Sequence, residues 1–238
     1  MSLEDHINII FKNITLDKKI DFYKFWSETY KKIYKNQNPP FNNSLMASRI
    51  NKNFYLSKYF IHVSSLAGDF LECGVFKGFS SYLLRSIEKN LDSTKTNNYF
   101  LVDSFEGLSE ILEVDVPKDP SIPRNEKGNF NVKIEDVKLL FSDFSNVNIL
   151  KGWIPEVFIS LDEKNKYKFV HIDVDLYQPT LDTLEYIYDK VVKGGIIITD
   201  DYNSPLFPGN KKAWDNFFEN KNDNHLKLPT GQAVLIKE

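Results

Sequence analysis

Short apolar segments alternate with segments of helical periodicity from residue 68 onward, and this alternation constrains the fold more than any other feature of the sequence. The predicted strands are residues 69–73, 98–103, 147–152, 168–173 and 195–200. Strands that alternate with helices are joined by right-handed crossovers, so they form a parallel sheet that is covered on both faces. We therefore expect an α/β fold with a Rossmann-like, mostly parallel sheet.

The stretches between these strands have apolar residues at helical spacing, and the sequence closes with a different pattern. The predicted helices are residues 79–91, 134–144, 180–192 and 211–220. Gly194 and Gly195 are expected to end the third of them. The segment LKLPTGQAVLIKE predicts two more strands around Pro229 and Gly231, which would add an antiparallel edge. The expected sheet therefore has seven strands, with helices on both faces.

Residues 1–66 are predicted to form an N-terminal helical extension, and residues 67–238 are predicted to form the main domain. Aromatic residues of the extension recur near helical spacing at Phe22, Tyr23, Trp26, Tyr30 and Tyr34. This aromatic face either packs on the main domain or belongs to a lid or to the arm of a dimer.

The bulk composition argues against several classes of function. The 238 residues carry 30 basic and 33 acidic side chains, and this near balance favours no nucleic-acid partner. The N-terminus lacks the basic and apolar segments of a signal peptide, and no apolar run is long enough to span a membrane. A single cysteine, Cys73, excludes an internal disulfide. We therefore expect a cytoplasmic protein that binds neither nucleic acid nor membranes.

Two of the predicted strands end in acids. The first reads FVHIDVDLY, with Asp173 and Asp175, and the second reads IIITDDY, with Asp200 and Asp201. The carboxyl ends of parallel strands share one edge of the sheet, where ligands of such folds bind. Carboxylate oxygens suit Mg²⁺ or Ca²⁺ better than zinc, which prefers His and Cys. The four histidines are scattered along the sequence, and His171 is expected to be a core histidine with a satisfied ring nitrogen. The sequence therefore predicts a divalent-cation site, with the alternative that an acid such as Asp175 caps the following helix.

The loop after the first predicted strand reads ECGVFKGFSS and leads directly into a helix. Its glycines, Gly74 and Gly78, permit a close approach of the backbone to a ligand, and the helix start offers unpaired N–H groups. The pattern is not G-x-G-x-x-G, so it serves a dinucleotide poorly. Glu72 at the strand end would repel phosphate but suits a cationic amine. The alternative is that Glu72 serves as a cap or in an ion pair.

Asp103 ends the second predicted strand. An acid at this place can accept hydrogen bonds from both hydroxyls of a ribose. An amino acid joined to a ribose is found in S-adenosylmethionine, so Glu72 and Asp103 together indicate that cofactor. The alternative for Asp103 is an acid that stabilises a turn.

The motifs ECGVFKG, VDSFEGL, LKGW and IDVDLYQPTLDTLEYIYDKVVKGGIIITDDY follow one another, and PGNKKAWDNF comes after them. Over residues 68–218 they resemble the macrocin O-methyltransferase family. The D-x-D-x-Y-x-x-T block with G-G-x-x-x-x-D-D-Y is the specific part of this resemblance. It implies a class I methyltransferase fold, S-adenosylmethionine as methyl donor, Mg²⁺ as the ion that assists the reaction, and a sugar hydroxyl of a natural product as acceptor.

The resemblance also assigns residues to the cofactor. In chain order, the expected contacts are Glu72, Gly74, Val75, Lys77, Gly78, Asp103, Ser104, Gly152, Trp153 and Asp173. Glu72 and Gly74 would line the methionine end, and Asp103 would hold the ribose. Gly152 and Trp153 would lie near the adenine or along the pocket wall.

The acids receive the remaining roles. The resemblance implies that Asp173, Asp200 and Asp201 hold Mg²⁺ and that Asp175 lies near the acceptor hydroxyl. A sugar hydroxyl is a weak nucleophile, so a nearby cation and a carboxylate that takes the proton would both help; Asp175 is the candidate base, and Asp173 is the second candidate catalytic residue. The long loop of residues 109–130 is expected to be a lid or a substrate wall. The family also implies self-association through the N-terminal segment.

Three other functions remain open on the residues alone. An NAD-linked oxidoreductase would need the missing G-x-G-x-x-G pattern. A Mg²⁺-dependent phosphohydrolase would need more basic residues beside the first loop than Lys77. A non-catalytic sugar-binding protein on the same sheet would not need an intact set of adjacent acids.

Overall fold

The computed structural model describes residues 20–34, 43–92, 97–221, 223 and 225–238. The described residues fall into two compact units. The first contains the residues up to Ser64 and the helix that follows Gly78, and the second contains the remainder. The expected division into an extension of residues 1–66 and a main domain of residues 67–238 stays a prediction.

Three helices make up the described part of the first unit: α1 (Phe22–Tyr34), α2 (Asn43–His62) and α3 (Phe79–Leu91). Four of the five aromatic residues predicted to share a face of α1 are buried, and Tyr23 is half-buried; the rings of Trp26 and Tyr30 stack at 5.3 Å. This face packs with residues of α2 and α3 in one hydrophobic core. The aromatic spacing in the sequence therefore marks a core face in this unit.

The second unit is built on one seven-stranded sheet with the order β3-β2-β1-β4-β5-β7-β6. The strands are β1 (Asp69–Cys73), β2 (Tyr99–Asp103), β3 (Val147–Lys151), β4 (Tyr167–Ile172), β5 (Val191–Thr199), β6 (His225–Lys227) and β7 (Ala233–Ile236). The first five pair in parallel, and β7 runs antiparallel to both β5 and β6. The predicted seven-stranded, mostly parallel sheet with an antiparallel edge is confirmed.

Three helices of this unit connect the strands: α4 (Ile134–Leu140), α5 (Tyr177–Ile187) and α6 (Pro208–Phe218). Short 3₁₀ turns lie at Glu113–Asp115, Glu156–Ser160 and Tyr188–Lys190. Strand β4 is buried along its whole length, as is the second half of β5, which fits a sheet covered on both faces. None of the described helices combines the length and the apolarity needed to cross a lipid bilayer.

The prediction that a helix extends to residue 192 and is ended by two glycines is wrong. Helix α5 ends at Ile187, and Val191 already pairs with Tyr167 as the first residue of β5. Gly194 donates its N–H to the carbonyl of Lys237, and the N–H of Lys237 donates to Gly195. The glycines therefore lie inside a strand, because β-sheet pairing outweighs the helical spacing of the apolar residues before them.

Four other helix boundaries differ from the prediction. Helix α5 begins at Tyr177 instead of residue 180, and helix α6 ends at Phe218 instead of residue 220. Helix α4 ends at Leu140 instead of residue 144, because a turn with an N–H bond from Phe144 to the carbonyl of Phe141 follows it. Helix α6 begins at Pro208, three residues earlier than expected, because proline fits the first helical position, where no N–H is needed.

Candidate active site

The carboxyl ends of the five parallel strands meet at one edge of the sheet, which we call the rim. Strands β2, β1, β4 and β5 are neighbours, so Asp103, Asp173 and Asp200 all lie at this edge. The backbone keeps the strand ends in register: the N–H of Asp173 donates to Cys73 at 2.8 Å, and the N–H of Asp200 donates to Ile172 at 3.0 Å. The rim is therefore a rigid extension of the sheet.

Three acids of the rim come together and form what we call the acid group: Asp173, Asp175 and Asp201. Each offers a carboxylate oxygen, and these oxygens all lie within 4.8 Å of one another. Asp201 is buried, and the other two are half-buried. Three like charges at this separation repel unless a cation or a shared proton offsets them. Hard oxygen donors in such a group have the chemistry that Mg²⁺ or Ca²⁺ prefers.

Local backbone geometry contributes to this arrangement. Asp175 has a φ of +63°, which is uncommon for a residue other than glycine and turns the chain sharply after β4. Gly74 has a φ of +87°, and a Cβ atom placed on it would lie 1.9 Å from the carbonyl oxygen of Asp173. The absence of a side chain at Gly74 therefore lets the loop after β1 pass directly against the backbone that carries the acid group.

Asp200, which was expected beside Asp173 and Asp201, has different partners. Its Oδ1 accepts a hydrogen bond from Nε2 of Gln232 at 2.7 Å and lies 3.5 Å from Nε2 of His171. The latter contact is an ion pair that is longer than an ordinary N–H···O bond. The structure thus brings two of the three expected metal ligands together with Asp175, while the Oδ1 atom of Asp200 faces the imidazole. A ligand role for Asp200 stays a prediction.

Beneath the rim, His171 also contacts Glu72. The two residues are paired across β1 and β4, and Nδ1 of His171 lies 2.7 Å from Oε1 of Glu72. Burial opposes the charged imidazole, but the carboxylates of Asp200 and Glu72 outweigh it and raise the pKa of His171 to about 10. Glu72 is fully buried, so its expected contact with the methionine end of a cofactor stays a prediction.

Asp103 gathers the backbone of two loops. Its Oδ2 accepts from the N–H groups of Val75 and Phe76 at 2.7 and 2.8 Å, and its Oδ1 accepts from Phe105 at 2.7 Å. Phe76 and Phe105 both have positive φ values, which are unfavourable for a bulky side chain. Asp103 therefore stabilises the loops after β1 and β2, and its expected contact with a ribose stays a prediction.

The other residues expected at the cofactor surround these two loops. The hydroxyl of Ser104 donates to the carbonyl of Gly107 at 3.1 Å, and Gly152 donates its N–H to the carbonyl of Asp103 at 3.0 Å. Trp153 is exposed beside Gly152. Lys77 lies with its Nζ 5.5 Å from the centroid of the Phe76 ring. Gly78, with a φ of +79°, precedes helix α3.

The loop of residues 109–130 is closed at its base. Leu108 donates its N–H to Asn129, and Gly128 donates its N–H back to Leu108, each at 2.9 Å. Phe130 follows directly, is exposed, and lies 6.1 Å from the ring of Phe76 and 6.3 Å from that of Phe207. The loop is therefore a compact structure beside the segments that follow β1 and β5. Its role as a lid or substrate wall stays a prediction.

The match to a family model decides the family. The model of the macrocin O-methyltransferase family (TylF) matches residues 3–231. The chain belongs to this family. The match extends the resemblance seen in the motifs of residues 68–218 in both directions, and it includes the residues that precede the sheet.

Two curated relatives each match part of the chain. Demethyldecarbamoylnovobiocin O-methyltransferase of Streptomyces niveus is 28% identical over 159 residues, which cover 65% of this chain and 59% of that protein. The 8-demethyl-8-(2,3-dimethoxy-alpha-L-rhamnosyl)-tetracenomycin-C 4'-O-methyltransferase of Streptomyces olivaceus is 29% identical over 140 residues, 57% of this chain and 53% of that protein. The chain thus matches somewhat more than half the length of these curated relatives.

A solved structure shows the same fold. The calicheamicin methyltransferase CalS11 superposes with a TM-score of 0.69 at 19% sequence identity, and the alignment covers 90% of this chain and 91% of that chain. The sheet described above is therefore the class I methyltransferase sheet, as the motifs of the family predicted.

Three residues of the present chain shape the rim but were not predicted as site residues from the sequence: His171, Gln232 and Asp115. Asp115 lies in the long loop, is buried, and accepts a hydrogen bond from the N–H of Tyr177 at 2.7 Å, at the start of α5. Burial raises the pKa of Asp115, while the hydrogen bonds from Tyr177 and Leu112 oppose this. Only for His171 did the sequence carry a signal, because an ionisable residue inside a buried strand needs a partner.

Proposed function

We propose that this chain is an S-adenosylmethionine-dependent O-methyltransferase that acts on a sugar hydroxyl of a glycosylated metabolite, with Mg²⁺ held at the rim by Asp173, Asp200 and Asp201. The observation that carries the proposal is the set of Asp173, Asp175 and Asp201 at the rim of a class I methyltransferase sheet. Membership of the macrocin O-methyltransferase family supports the reaction. The sugar acceptor is supported by the name of the Streptomyces olivaceus relative, which specifies a rhamnosyl group.

The residues at the rim fit the cofactor. A carboxylate offers about four acceptor positions, and Asp103 uses three of them for backbone N–H groups, which leaves one for a ribose hydroxyl. The exposed ring of Trp153 lies next to Gly152, which is bonded to the backbone of Asp103. An exposed aromatic ring at this position suits the stacking of an adenine base.

The residues also fit Mg²⁺. The acid group supplies hard oxygen donors, and two of its members, Asp173 and Asp201, are the proposed ligands together with Asp200. The contacts of Asp200 with His171 and Gln232 involve one oxygen, and a carboxylate has two, so these contacts are compatible with a ligand role.

Each component then has a defined task. S-adenosylmethionine, when bound, supplies the methyl carbon and leaves as S-adenosylhomocysteine, while Mg²⁺ supplies a positive charge that favours the ionised form of a neighbouring hydroxyl. Asp175 would take the proton of the acceptor hydroxyl, because its carboxylate oxygen lies within 4.8 Å of those of Asp173 and Asp201 and its side chain is half-buried. The rigid backbone of the rim would hold both reactants in line, which lowers the entropic barrier.

The test is a methyl-transfer assay with labelled S-adenosylmethionine and a panel of nucleotide sugars and glycosides, with and without a chelator. Asp201→Asn and Asp173→Ala are expected to remove methyl transfer, while the affinity for S-adenosylhomocysteine measured by calorimetry changes little. Asp162→Asn, at an exposed position that precedes β4 whereas Asp173 follows it, serves as the matched control and is expected to behave as wild type.

Full activity of both acid variants in the presence of the chelator would overturn the role of the metal. A protein that binds no S-adenosylhomocysteine would overturn the reaction itself. Hydrolysis of a generic phosphoester by the wild-type chain, lost in the same acid variants, would favour a phosphohydrolase instead.

A further inference from the structure

Four polar side chains from neighbouring strands form a buried chain beneath the rim, and we call them the inner network: Glu72, His171, Asp200 and Gln232. Glu72 lies in β1, His171 in β4, Asp200 directly after β5 and Gln232 directly before β7. The contacts run from Glu72 to His171 at 2.7 Å, from His171 to Asp200 at 3.5 Å, and from Gln232 to Asp200 at 2.7 Å. The network therefore crosses the sheet at right angles to its strands.

The exposed fraction of the side chain differs along the inner network. The side chains of Glu72 and His171 are 0% and 2% exposed, whereas that of Asp200 is 15% exposed, and Gln232 is 1% exposed. In this conformation a ligand at the rim can touch Asp200 but cannot reach the other three. The buried members can therefore influence the site through Asp200.

Stability alone does not account for the inner network. Removing an ion from water costs several kcal/mol, and buried ion pairs replaced by apolar residues often leave a protein equally or more stable. Nε2 of His171 makes no hydrogen bond among the described residues and has only the longer contact with Asp200. Such an arrangement orients its side chains more than it stabilises the fold, because each contact restricts the rotation of the next side chain.

We propose that His171 is a positioning residue, which holds the carboxylate of Asp200 in place at the rim and is itself oriented by Glu72. Gln232 holds the same Oδ1 atom from the other side, so two contacts fix the rotation of one carboxylate. This inference rests on the proposed function, since Asp200 is one of the proposed Mg²⁺ ligands. Partners of a metal ligand's own contacts commonly set how well the ligand serves the metal.

Substituting His171 by asparagine or by glutamine separates its contact with Glu72 from its contact with Asp200. The side-chain amide of asparagine lies near the Nδ1 position of histidine, and that of glutamine lies near Nε2. His171→Asn therefore keeps the contact with Glu72 and loses that with Asp200, and His171→Gln does the reverse. Gln232→Leu removes the second contact of Asp200 and leaves His171 in place.

The measurement is Mg²⁺ affinity by calorimetry on the full chain saturated with S-adenosylhomocysteine, with thermal unfolding recorded for each variant. His171→Asn and Gln232→Leu are expected to weaken Mg²⁺ binding by about 10- to 100-fold. His171→Gln is expected to weaken it less. The affinity for S-adenosylhomocysteine, measured without Mg²⁺, is expected to stay that of wild type in all three variants.

Several outcomes would overturn the inference. Equal weakening of Mg²⁺ binding in His171→Asn and His171→Gln, in proportion to their loss of thermal stability, would indicate a merely structural role. A loss of S-adenosylhomocysteine affinity with unchanged Mg²⁺ affinity would show that the network acts on the cofactor through Glu72. Unchanged Mg²⁺ binding in His171→Asn would reject the inference alone, whereas a wild-type chain that binds no Mg²⁺ would reject the metal part of the proposed function together with it.

Discussion

A missing side chain sets how closely the loop after β1 approaches the acid group. Gly74→Ala would place a Cβ atom 1.9 Å from the carbonyl oxygen of Asp173, in a backbone conformation that already costs about 1–2 kcal/mol for a residue with a side chain. We expect a large decrease in the free energy of unfolding, measured in urea, and a loss of the proposed methyl transfer.

Gly194→Ala is the matched control for Gly74→Ala. Gly194 has a similar φ of +77°, but the nearest atom to its added Cβ is the flexible end of Leu66 at 3.6 Å. This variant carries the backbone cost without the clash. Equal losses of stability in the two variants would show that the contact with Asp173 is unimportant.

A single carboxylate stabilises two loops at Asp103. Asp103→Asn replaces one of its oxygens with an NH₂ group, which cannot accept a hydrogen bond from the N–H of Val75, Phe76 or Phe105. At least one buried donor then lacks its partner, which costs about 1–3 kcal/mol of unfolding free energy. We expect a weaker affinity for S-adenosylhomocysteine as well, measured by calorimetry.

The comparison variant for Asp103→Asn is Asp162→Asn, at an exposed carboxylate that accepts one N–H from Lys164 at 2.9 Å. It is expected to change neither quantity. Unaltered cofactor affinity in Asp103→Asn would separate the two loops from cofactor binding.

At this scale the sequence identifies residues well and their partners poorly. The acids at the rim could be predicted because they follow apolar strands, and strand ends share an edge. The contact of His171 with Glu72 could not, because it depends on the register between two strands that are about a hundred residues apart in the chain. The contact of Asp200 with Gln232 could not be predicted either, because it depends on the antiparallel pairing of β7 with β5.

Helix α5 begins directly after the loop that carries Asp175, and a residue from a distant loop caps its start. Asp115 accepts the N–H of Tyr177, and a Cβ atom on Gly209 of α6 would lie 1.8 Å from its Oδ1. Asp115→Ala is expected to lower the free energy of unfolding by about 1–2 kcal/mol, the typical effect of losing a helix cap. Protection of the Tyr177 N–H from hydrogen exchange is expected to fall more than that of strand β4.

Asp119→Ala provides the control within the same loop. Asp119 is exposed and bonds only locally, to Ser121. Little change in stability is expected for this variant. Equal effects of the two substitutions would indicate that the loop contributes no tertiary contact through Asp115.

Element boundaries followed tertiary contacts where local signals were ambiguous. The apolar spacing of residues 180–192 fits a helix, but Val191 and Val192 are β-branched and belong to β5, where Val191 pairs with Tyr167. By contrast, β1 and α3 have the predicted bounds, because the glycine loop between them separates two unambiguous patterns. Strong turn signals at the ends of an element make its bounds predictable from the sequence. Strand pairing between distant residues competes with the local pattern and does not show in the sequence.

For the whole molecule, the rate at which a thiol reagent labels Cys73 measures how often the core opens. Cys73 is the single cysteine of the chain, is fully buried, and burial raises the pKa of its thiol above the ordinary value. The thiolate is the reactive form, so a raised pKa slows any reaction at neutral or mildly alkaline pH. We expect an aromatic disulfide reagent at pH 8 to label the native chain very slowly and the chain in denaturant completely.

Ligands of the folded state should slow the labelling further. Anything that binds only the native chain lowers the population of open forms, so S-adenosylhomocysteine with Mg²⁺ is expected to reduce the rate of labelling. Rapid labelling of the native chain would contradict the buried position of Cys73. A rate that is insensitive to both ligands, although calorimetry shows binding, would indicate that Cys73 reacts through a local opening.

The fold as a whole could be predicted from the sequence because alternating strands and helices leave few topologies open. The acceptor could not be predicted in the same way. The loop that is predicted to be a lid or substrate wall carries the exposed Phe130, whose ring packs against those of Phe76 and Phe207. These three residues are far apart in the chain, so the sequence does not show that they meet.

The reversed direction of β7 has a consequence for how the chain is made. A parallel strand brings its end to the rim, but an antiparallel strand brings its beginning, and so Gln232 arrives opposite the end of β5. During synthesis on a ribosome, every acid of the rim emerges before this amide does. A nascent chain that stops short of residue 232 would hold all four aspartates and lack the amide that donates to Oδ1 of Asp200, so we expect the last step of assembly at the rim to be the docking of a hairpin.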